Sequence, residues 1–270
     1  MNGFIKTKTE YGELKFLRNK KLFIGLTSIV VVIALIVGGC AWYASDYYRA
    51  DTAAIEAFMP TLSVKEECPE PGILTFGEKN ERAGLIFYPG GKVEYTAYVP
   101  LMRALAARGV FCVLVEMPFN LAVLDMNAAD EILNAYPEIG SWYIGGHSLG
   151  GAMAASYVAA NADRFEGLVL LAAYSSADLS GTNLRVLSVF GSEDGVMNRE
   201  KYDGYRSNLP TDFTEVEIEG GCHAYFGMYG EQDRDGAPTI TPENQICQTA
   251  DHIMEFVMHI AYGDLNAKDY

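Results

Sequence analysis

Basic side chains are scarce in this chain of 270 residues. Lysine and arginine number 20 against 35 aspartates and glutamates, which leaves a formal net charge of −15. A nucleic-acid partner requires lysine and arginine to neutralise its phosphates, so this charge balance argues against one. The deficit is also uneven along the chain, because most of the acidic excess follows residue 45.

Residues that bind metals are sparse as well, with 4 histidines, 5 cysteines and no Cys-x-x-Cys or histidine-rich spacing. Residues 229–236 are rich in oxygen ligands but lack the spacing of an EF-hand loop, so a polar surface loop is expected there. We predict no metal and no cofactor. Cys112 lies in an apolar run and is expected to be buried; for Cys222 and Cys247, a disulfide and free thiols are both open.

Charged residues are entirely absent between residues 22 and 45. As a helix, the apolar run from Leu22 to Tyr43 is long enough to cross a hydrocarbon core of roughly 30 Å. Trp42 and Tyr43 stand where the aromatic residues of a membrane interface are usually found. We therefore predict a transmembrane helix over residues 22–43, which makes the membrane a partner of the chain.

The segment before this run, residues 1–21, carries six basic and two acidic side chains, a net charge of +4. Positive flanks stay in the cytoplasm, so we predict a cytoplasmic tail and a single-pass protein of the cell membrane with an extracytoplasmic remainder. Two alternatives stay open: lipidation of Cys40, because residues 37–40 (VGGC) loosely resemble a lipobox, and cleavage as a signal peptide.

Beyond a polar spacer predicted over residues 44–71, apolar runs alternate with amphipathic ones. Strands are predicted at residues 73–76, 84–88, 111–115, 142–144, 167–172, 184–190 and 213–218, and helices at 98–107, 128–135, 152–160 and 244–259. Near-continuous apolar strands separated by helices indicate a mostly parallel sheet with helices on both faces. We predict one α/β domain over residues 72–270.

The segment IGGHSLGG at residues 144–151 contains a Gly-x-Ser-x-Gly motif around Ser148. An apolar, aromatic run precedes it and an alanine-rich stretch without glycine or proline follows, so a strand is expected to turn sharply into a helix at the serine. Gly146 and Gly150 would let the strand and the helix approach closely. This context favours Ser148 as a nucleophile over an incidental serine in a glycine-rich turn.

A serine hydroxyl needs a base that removes its proton, and the candidates are the four histidines. His147 adjoins the serine and is expected to line the turn, while His252 and His259 fall on the last predicted helix. His223 stands in a glycine-rich loop just after the last predicted strand. From such a loop an imidazole can reach the serine, so we predict His223 as the base.

The base needs an acid that orients it, and two adjacent carboxylates, Glu193 and Asp194, follow a predicted strand. Asp194 is favoured because it lies between two glycines in a short loop, and Glu193 is the alternative. The acid would accept the Nδ1 hydrogen of His223 and so set the tautomer of the ring.

Backbone N–H groups are expected to hold the oxyanion that a serine attack creates. One donor is predicted at Leu149, the residue after the nucleophile, at the N-terminus of the helix. The second is predicted in the loop YPGGK at residues 88–92, at either Gly91 or Lys92, because glycines let N–H groups face a ligand without a Cβ in the way.

Three further segments carry a resemblance to a known family: FYPGGKV, EMPFNLA and GGCHAYFG, at residues 87–93, 116–122 and 220–227. With the Ser148 motif they resemble α/β-hydrolase-fold serine hydrolases of the esterase type, and more narrowly a bacterial subfamily of largely unassigned substrate. The similarity covers about residues 72–260. It implies the α/β-hydrolase fold and a triad of Ser148, Asp194 and His223, and it implies no particular substrate.

The favoured hypothesis is a membrane-anchored serine hydrolase that cleaves a small-molecule carboxylic ester through an acyl-enzyme. Acyl transfer by the same residues is the first alternative, since nothing in the sequence separates the two. A non-catalytic hydrolase-fold binding domain at the cell surface is the second. It is disfavoured because such proteins typically lose a triad member, and all three candidates are present here.

Overall fold

Strands and helices alternate along the computed structural model, which describes residues 8–58, 63–79 and 81–267. The strands are β1 (Glu66–Glu70), β2 (Ile73–Phe76), β3 (Ala83–Tyr88), β4 (Val110–Val115), β5 (Ser141–His147), β6 (Gly167–Leu171), β7 (Arg185–Gly191) and β8 (Phe213–Ile218). The helices are α1 (Lys8–Ser45), α2 (Thr52–Ala57), α3 (Val99–Ala106), α4 (Ala129–Ala135), α5 (Leu149–Ala159), α6 (Arg199–Gly204) and α7 (Pro242–Ala267). The chain divides into two units, Met1–Asp46 and Tyr47–Tyr270.

The first unit contains α1, whose apolar part is Asn19–Ser45. Its most apolar 18-residue window has a mean hydropathy of 2.7, and its 27 residues are long and apolar enough to cross a membrane as one helix. The segment is therefore a candidate membrane span, and the predicted span over residues 22–43 lies within it. Residues 1–7 of the predicted basic tail lie outside the described residues.

The second unit is built on one eight-stranded sheet with the order β1-β2-β4-β3-β5-β6-β7-β8. The six strands from β4 to β8 in this order are parallel, while β2 is antiparallel to both β4 and β1. This confirms the predicted mostly parallel sheet. Because the carboxyl ends of parallel strands lie along one edge, the loops that follow β3, β5, β7 and β8 meet there.

Both faces of the sheet are covered by helices, as predicted. Alternate residues of β3 point to opposite faces: Leu85 packs in a core with α3 and α7, and Ile86 packs in a second core with α4 and α5. All six residues of β3 are buried. A strand buried on both sides reads as a continuous apolar run, which is why the sequence located it within one residue.

The segment that follows the candidate span differs from the predicted spacer over residues 44–71. The backbone N–H of Tyr48 donates to the carbonyl of Lys92 at 2.8 Å, and Tyr48 forms a parallel bridge with Val93. Further along, the N–H of Asp51 donates to the carbonyl of Met228 at 2.8 Å, and the side chain of Ile55 is buried. The α/β unit therefore begins near residue 47, not at 72, because backbone pairing that composition does not reveal holds this segment against it.

Strand β1 is a second departure from that prediction. Its sequence, EECPE, is charged and mostly exposed, yet its backbone pairs with β2 at the edge of the sheet. Charged residues are typical of edge strands, where they discourage pairing with other chains. The missing apolar alternation explains why the sequence did not indicate a strand.

The five cysteines are all free in the part of the chain that the structure describes. Cys112 is buried, as its apolar surroundings predicted. Cys222 is also buried and Cys247 is exposed, and neither forms a disulfide. Burial raises the pKa of the Cys222 thiol to about 12. The alternative of free thiols is the one that the structure contains.

Candidate active site

Strand β5 ends and helix α5 begins on either side of Ser148. The φ of Ser148 is 51°, in the left-handed region that a residue other than glycine adopts only when the surrounding structure holds it there. A Cβ on Gly146 would lie 2.6 Å from the carbonyl oxygen of Tyr88, and one on Gly150 only 2.2 Å from it. Glycine is therefore required at both positions, and Ser148 stands in the strand–turn–helix context predicted for a nucleophile.

Asp194 and His223 lie in the loops after β7 and β8, and their side chains meet. The Nδ1 of His223 lies 2.9 Å from Oδ2 of Asp194, and each side chain is only 1 % exposed. The other carboxylate oxygen, Oδ1, accepts the backbone N–H groups of Val196 at 2.9 Å and Met197 at 2.8 Å. The carboxylate is thereby fixed in place, and it orients the ring with Nδ1–H towards the acid and Nε2 towards its other side.

Glu193, the alternative acid, does not contact the histidine. Its carboxylate accepts a hydrogen bond from the hydroxyl of Ser192 at 3.1 Å, and its side chain is half-buried. The two loops approach closely at another point, since a Cβ on Gly191 would lie 2.2 Å from the carbonyl oxygen of Gly221. The geometry thus favours Asp194 over Glu193.

The Nε2 of His223 is buried and has no hydrogen-bond partner among the described residues. The structure therefore brings Asp194 and His223 into contact, and it contains no hydrogen bond between His223 and Ser148. Hydrogen bonds between a nucleophile and its base are often long before a substrate binds. What the arrangement offers is a buried, oriented acceptor nitrogen at the edge of the sheet where β5 presents its serine.

The predicted oxyanion donors Gly91 and Leu149 lie side by side. A Cβ on Gly91 would lie 2.8 Å from Cδ2 of Leu149. In the described part of the chain, the N–H of Gly91 has no backbone acceptor, and that of Leu149 has none outside α5. Lys92 differs, because its N–H donates to the carbonyl of Asn120 at 2.8 Å. The sequence left Gly91 and Lys92 open as the second oxyanion donor. The N–H of Lys92 is already bonded, so the geometry favours Gly91.

Two residues that sequence reasoning did not assign to the site also lie here, Tyr98 and His147. The hydroxyl of Tyr98 accepts the backbone N–H of Gly90 at 3.1 Å and lies 2.7 Å from Nδ1 of His147. The ring of His147 packs against that of His223, with centroids 4.6 Å apart. The expectation that His147 lines the turn understated its position, since it contacts the candidate base.

Burial decides the protonation of this pair. It raises the pKa of Tyr98 above its ordinary value, so the hydroxyl keeps its hydrogen and donates it to Nδ1 of His147. Burial also lowers the pKa of His147 well below its ordinary value, and the nearby charge of His223 lowers it further. His147 is therefore a neutral ring with its hydrogen on Nε2, which is buried without a partner among the described residues.

Asp235 is a third residue that the sequence did not single out, because it lies in the predicted polar surface loop over residues 229–236. Its Oδ1 accepts the backbone N–H groups of Gly195 and His223, both at 3.1 Å, and that of Gly236 at 2.9 Å. Its Oδ2 accepts the N–H of Ala224 at 2.8 Å. One carboxylate thus joins the acid loop to the base loop. A side chain whose role is to accept backbone N–H groups has no sequence motif that could reveal it.

The remaining histidines lie away from this cluster or outside what is described. His252 lies on α7 with Nδ1 4.0 Å from Oε2 of Glu255, and the side chain of His259 lies outside the described residues. Within the described residues, no group of three or more His, Cys, Asp or Glu side chains could hold a metal ion. The cluster brings together the turn that carries Ser148, the imidazole of His223 and the carboxylate of Asp194.

Comparisons with known proteins identify relatives of this architecture. A model of the Alpha/beta hydrolase family matches residues 84–247, and a search of curated proteins finds no match. Among solved structures, a predicted CIB-like hydrolase from Thermoplasma acidophilum is similar, with a TM-score of 0.51, 17% identity and coverage of 72% of this chain and 99% of that one. Est1E from Butyrivibrio proteoclasticus is also similar, with a TM-score of 0.53, 13% identity and coverage of 73% and 98%. Identities this low show a shared fold.

Proposed function

This chain belongs to the alpha/beta hydrolase family and is a hydrolase, and from that premise we propose that it is a membrane-anchored serine esterase. In this proposal Ser148 is the nucleophile, His223 the base and Asp194 the acid that orients the base. The observation that carries it is the buried hydrogen bond between Asp194 and His223, which leaves Nε2 of the histidine open at the sheet edge where Ser148 turns.

The first half of the reaction forms an acyl-enzyme. Nε2 of His223 takes the proton of the Ser148 hydroxyl while Oγ attacks the carbonyl carbon of the ester. The carbonyl oxygen becomes an oxyanion, which the backbone N–H groups of Gly91 and Leu149 stabilise. The carbon–oxygen bond to the alcohol then breaks, and the imidazolium returns its proton to the departing alkoxide. The products are a free alcohol and an ester of Ser148.

The second half repeats these steps with water. Nε2 of His223 takes a proton from water as the oxygen attacks the acyl carbon, and the imidazolium then protonates Oγ of Ser148 as the acid leaves. Asp194 accepts the Nδ1 hydrogen and stabilises the imidazolium in both halves. Because Nδ1 is held by this hydrogen bond, Nε2 is the nitrogen that faces the serine. The imidazole of His223 gains one proton and loses one proton within each half-reaction.

Anchoring to the membrane is the other part of the proposal, and the candidate span Asn19–Ser45 supports it. The basic residues before the span and their near absence within it favour a cytoplasmic N-terminus and an extracytoplasmic hydrolase unit. Labelling of single cysteines with an impermeant reagent in intact cells tests this orientation. Reaction at exposed Cys247 supports it, and protection of Cys247 until the cells are opened contradicts it.

The nucleophile is tested with Ser148→Ala in the full-length chain purified in detergent. We expect hydrolysis of p-nitrophenyl butyrate to fall by about 10³-fold or more, because the variant lacks the hydroxyl that forms the acyl-enzyme. A fluorophosphonate should label the wild-type chain at Ser148 and leave the variant unlabelled.

Ser156→Ala is the matched control, because Ser156 lies two turns along α5 and its hydroxyl only donates to the carbonyl of Ala152. Full activity in Ser148→Ala would contradict the mechanism. Addition of an alcohol acceptor, with both products quantified, separates hydrolysis from acyl transfer by the same residues.

A further inference from the structure

The exposed large apolar side chains of the second unit are concentrated in one loop. Among the side chains described between residues 47 and 258, four such residues are exposed, and three of them lie within residues 118–124, here named the apolar loop. They are Phe119, 66 % exposed, and Val123 and Leu124, each 56 % exposed; the fourth is Tyr205 at 36 %. Single exposed apolar residues are common on any surface, but a cluster indicates a binding site.

The backbone of the apolar loop holds these side chains out of the core. Phe119 and its neighbour Asn120 both adopt left-handed conformations, with φ of 54° and 56°. For an aromatic residue this conformation is uncommon and persists only when neighbouring structure enforces it. Met117 and Ala122 are buried at the two ends of the strained turn and anchor it. The exposure of Phe119 is therefore a fixed property of the loop.

The apolar loop is bonded to the residue next to one proposed oxyanion donor and packs on the helix that begins with the other. On one side, the carbonyl of Asn120 accepts the N–H of Lys92 at 2.8 Å, the residue next to Gly91. On the other side, the turn Ala122–Leu124 packs against α5, the helix that begins at Leu149. An ester whose carbonyl oxygen lies between Gly91 and Leu149 would thus lie near this loop.

The composition of the apolar loop restricts the substrate further. Residues 118–124 (PFNLAVL) carry no charged side chain. An uncharged apolar surface favours an uncharged hydrocarbon group as its ligand. We propose that the apolar loop binds the hydrocarbon acyl chain of the substrate, which makes the chain an esterase for neutral esters of medium- or long-chain acids. This assignment rests on the proposed function and adds the class of its substrate.

The test compares p-nitrophenyl octanoate with p-nitrophenyl butyrate in the full-length chain at one detergent concentration, so that partition into micelles is the same for every variant. The variant is Phe119→Asn with Leu124→Asn. Asparagine tolerates the left-handed backbone at position 119, so the change removes apolar surface without adding strain. We expect the ratio of kcat/KM for octanoate to that for butyrate to fall about tenfold.

Tyr205→Asn is the matched control, because it removes an exposed ring that stacks on Tyr174 in another part of the unit, and it should leave the ratio unchanged. Hydrolysis of both esters with an unaltered ratio in the double variant would overturn the apolar-loop assignment alone. Hydrolysis of neither ester by the wild-type chain would overturn the proposed function, and the assignment with it. An altered sedimentation coefficient with an unaltered ratio would identify the loop as an interface between copies and also overturn it.

Discussion

The hydroxyl of Tyr98 is a single group that connects two parts of the proposed site. It accepts the N–H of Gly90, next to the proposed oxyanion donor, and donates to His147, whose ring packs on His223. Gly90 fits directly against this pair, since a Cβ there would lie 2.7 Å from both Oη of Tyr98 and Nδ1 of His147. The two hydrogen bonds of this buried hydroxyl connect the loop that carries Gly91 with the ring that packs on His223, so we expect them to hold the two in register.

Tyr98→Phe removes that hydroxyl and little else. We expect kcat for p-nitrophenyl butyrate to fall about tenfold with KM nearly unchanged, because a buried hydrogen bond is worth about 1 kcal/mol and its loss misplaces groups that act in the transition state. Tyr143→Phe is the control, since it removes another buried hydroxyl, 3.4 Å from the carbonyl of Val257. Equal losses in the two variants would show that Tyr98 contributes only to folding.

Single residues of the site divide into those that a pattern reveals and those that it does not. Ser148 and His223 were predictable because a motif and a glycine-rich loop mark them in the sequence. Tyr98 and His147 are 49 positions apart, and only the packing of α3 and its preceding turn against the sheet brings them together. No local pattern encodes such a pair.

At the scale of elements, the loops at the carboxyl edge of the sheet are held by backbone contacts. Strain concentrates in the same loops, because positive φ angles outside glycine occur in the described chain at Lys92, Phe119, Asn120, Ser148, Ala172 and Arg234. Arg234 precedes Asp235, whose carboxylate receives N–H groups from both the acid loop and the base loop. The strained backbone at Arg234 is thus stabilised by the hydrogen bonds that the next residue, Asp235, accepts from the neighbouring loops.

Asp235→Ala removes the acceptor from four backbone N–H groups at once. We expect the free energy of unfolding to fall by about 3 kcal/mol and kcat to fall more than KM changes, because hydrogen bonds to a charged group are strong and these position His223. Asp235→Asn keeps one carbonyl oxygen and should recover part of both losses. Asp233→Ala removes an exposed carboxylate two residues away as a control; an equal effect there would contradict the positioning of the base by Asp235.

The elements themselves could be predicted where burial dictates composition. Strands β2 to β7 were located within a few residues because each is an apolar run bounded by turns. Strand β8 was located too, although its sequence, FTEVEI, is half polar and only its last residue is buried. Strand β1 and helix α2 were not, since the first is a charged edge strand and the second buries only Ile55. Both are held mainly by backbone hydrogen bonds, and these do not produce a recognisable pattern of apolar and polar residues in the sequence.

For the molecule as a whole, the buried His147 links folding to acidity. Its pKa in the folded chain lies below the ordinary value near 6.5 because of burial and the charge of His223, whereas unfolding exposes it. The unfolded chain therefore binds the extra proton as the pH falls below about 6.5, and the folded chain does not. The neutral, buried His147 therefore lowers the free energy of unfolding only below about pH 6.5, and the loss grows as the pH falls towards the pKa of His147 in the folded chain.

His147→Gln should therefore flatten the acid side of the stability profile. We expect the Tm of the wild-type full-length chain to fall more steeply from pH 7 to pH 5 than that of the variant. In the free energy of unfolding, the two slopes should differ by at most about 1.4 kcal/mol per pH unit. Thermal melts across this range measure it, with the half-exposed His252→Gln as control. Parallel profiles for the wild type and His147→Gln would show that this imidazole does not titrate with folding.

The pairing of Tyr48 with Lys92 and Val93 decides where a protease can cut this chain without harm. A cut before residue 47 would release the hydrolase unit with its first strand-like pairing intact. A cut after Tyr48 would remove the residue whose N–H donates to the carbonyl of Lys92, in the loop that carries Gly91. Of the two backbone hydrogen bonds that the structure describes at Lys92, only the one to Asn120 would then remain. If the span Asn19–Ser45 anchors the chain as proposed, shedding and inactivation are separated by only a few peptide bonds. We expect a released unit to be active only when its new N-terminus lies before Tyr48.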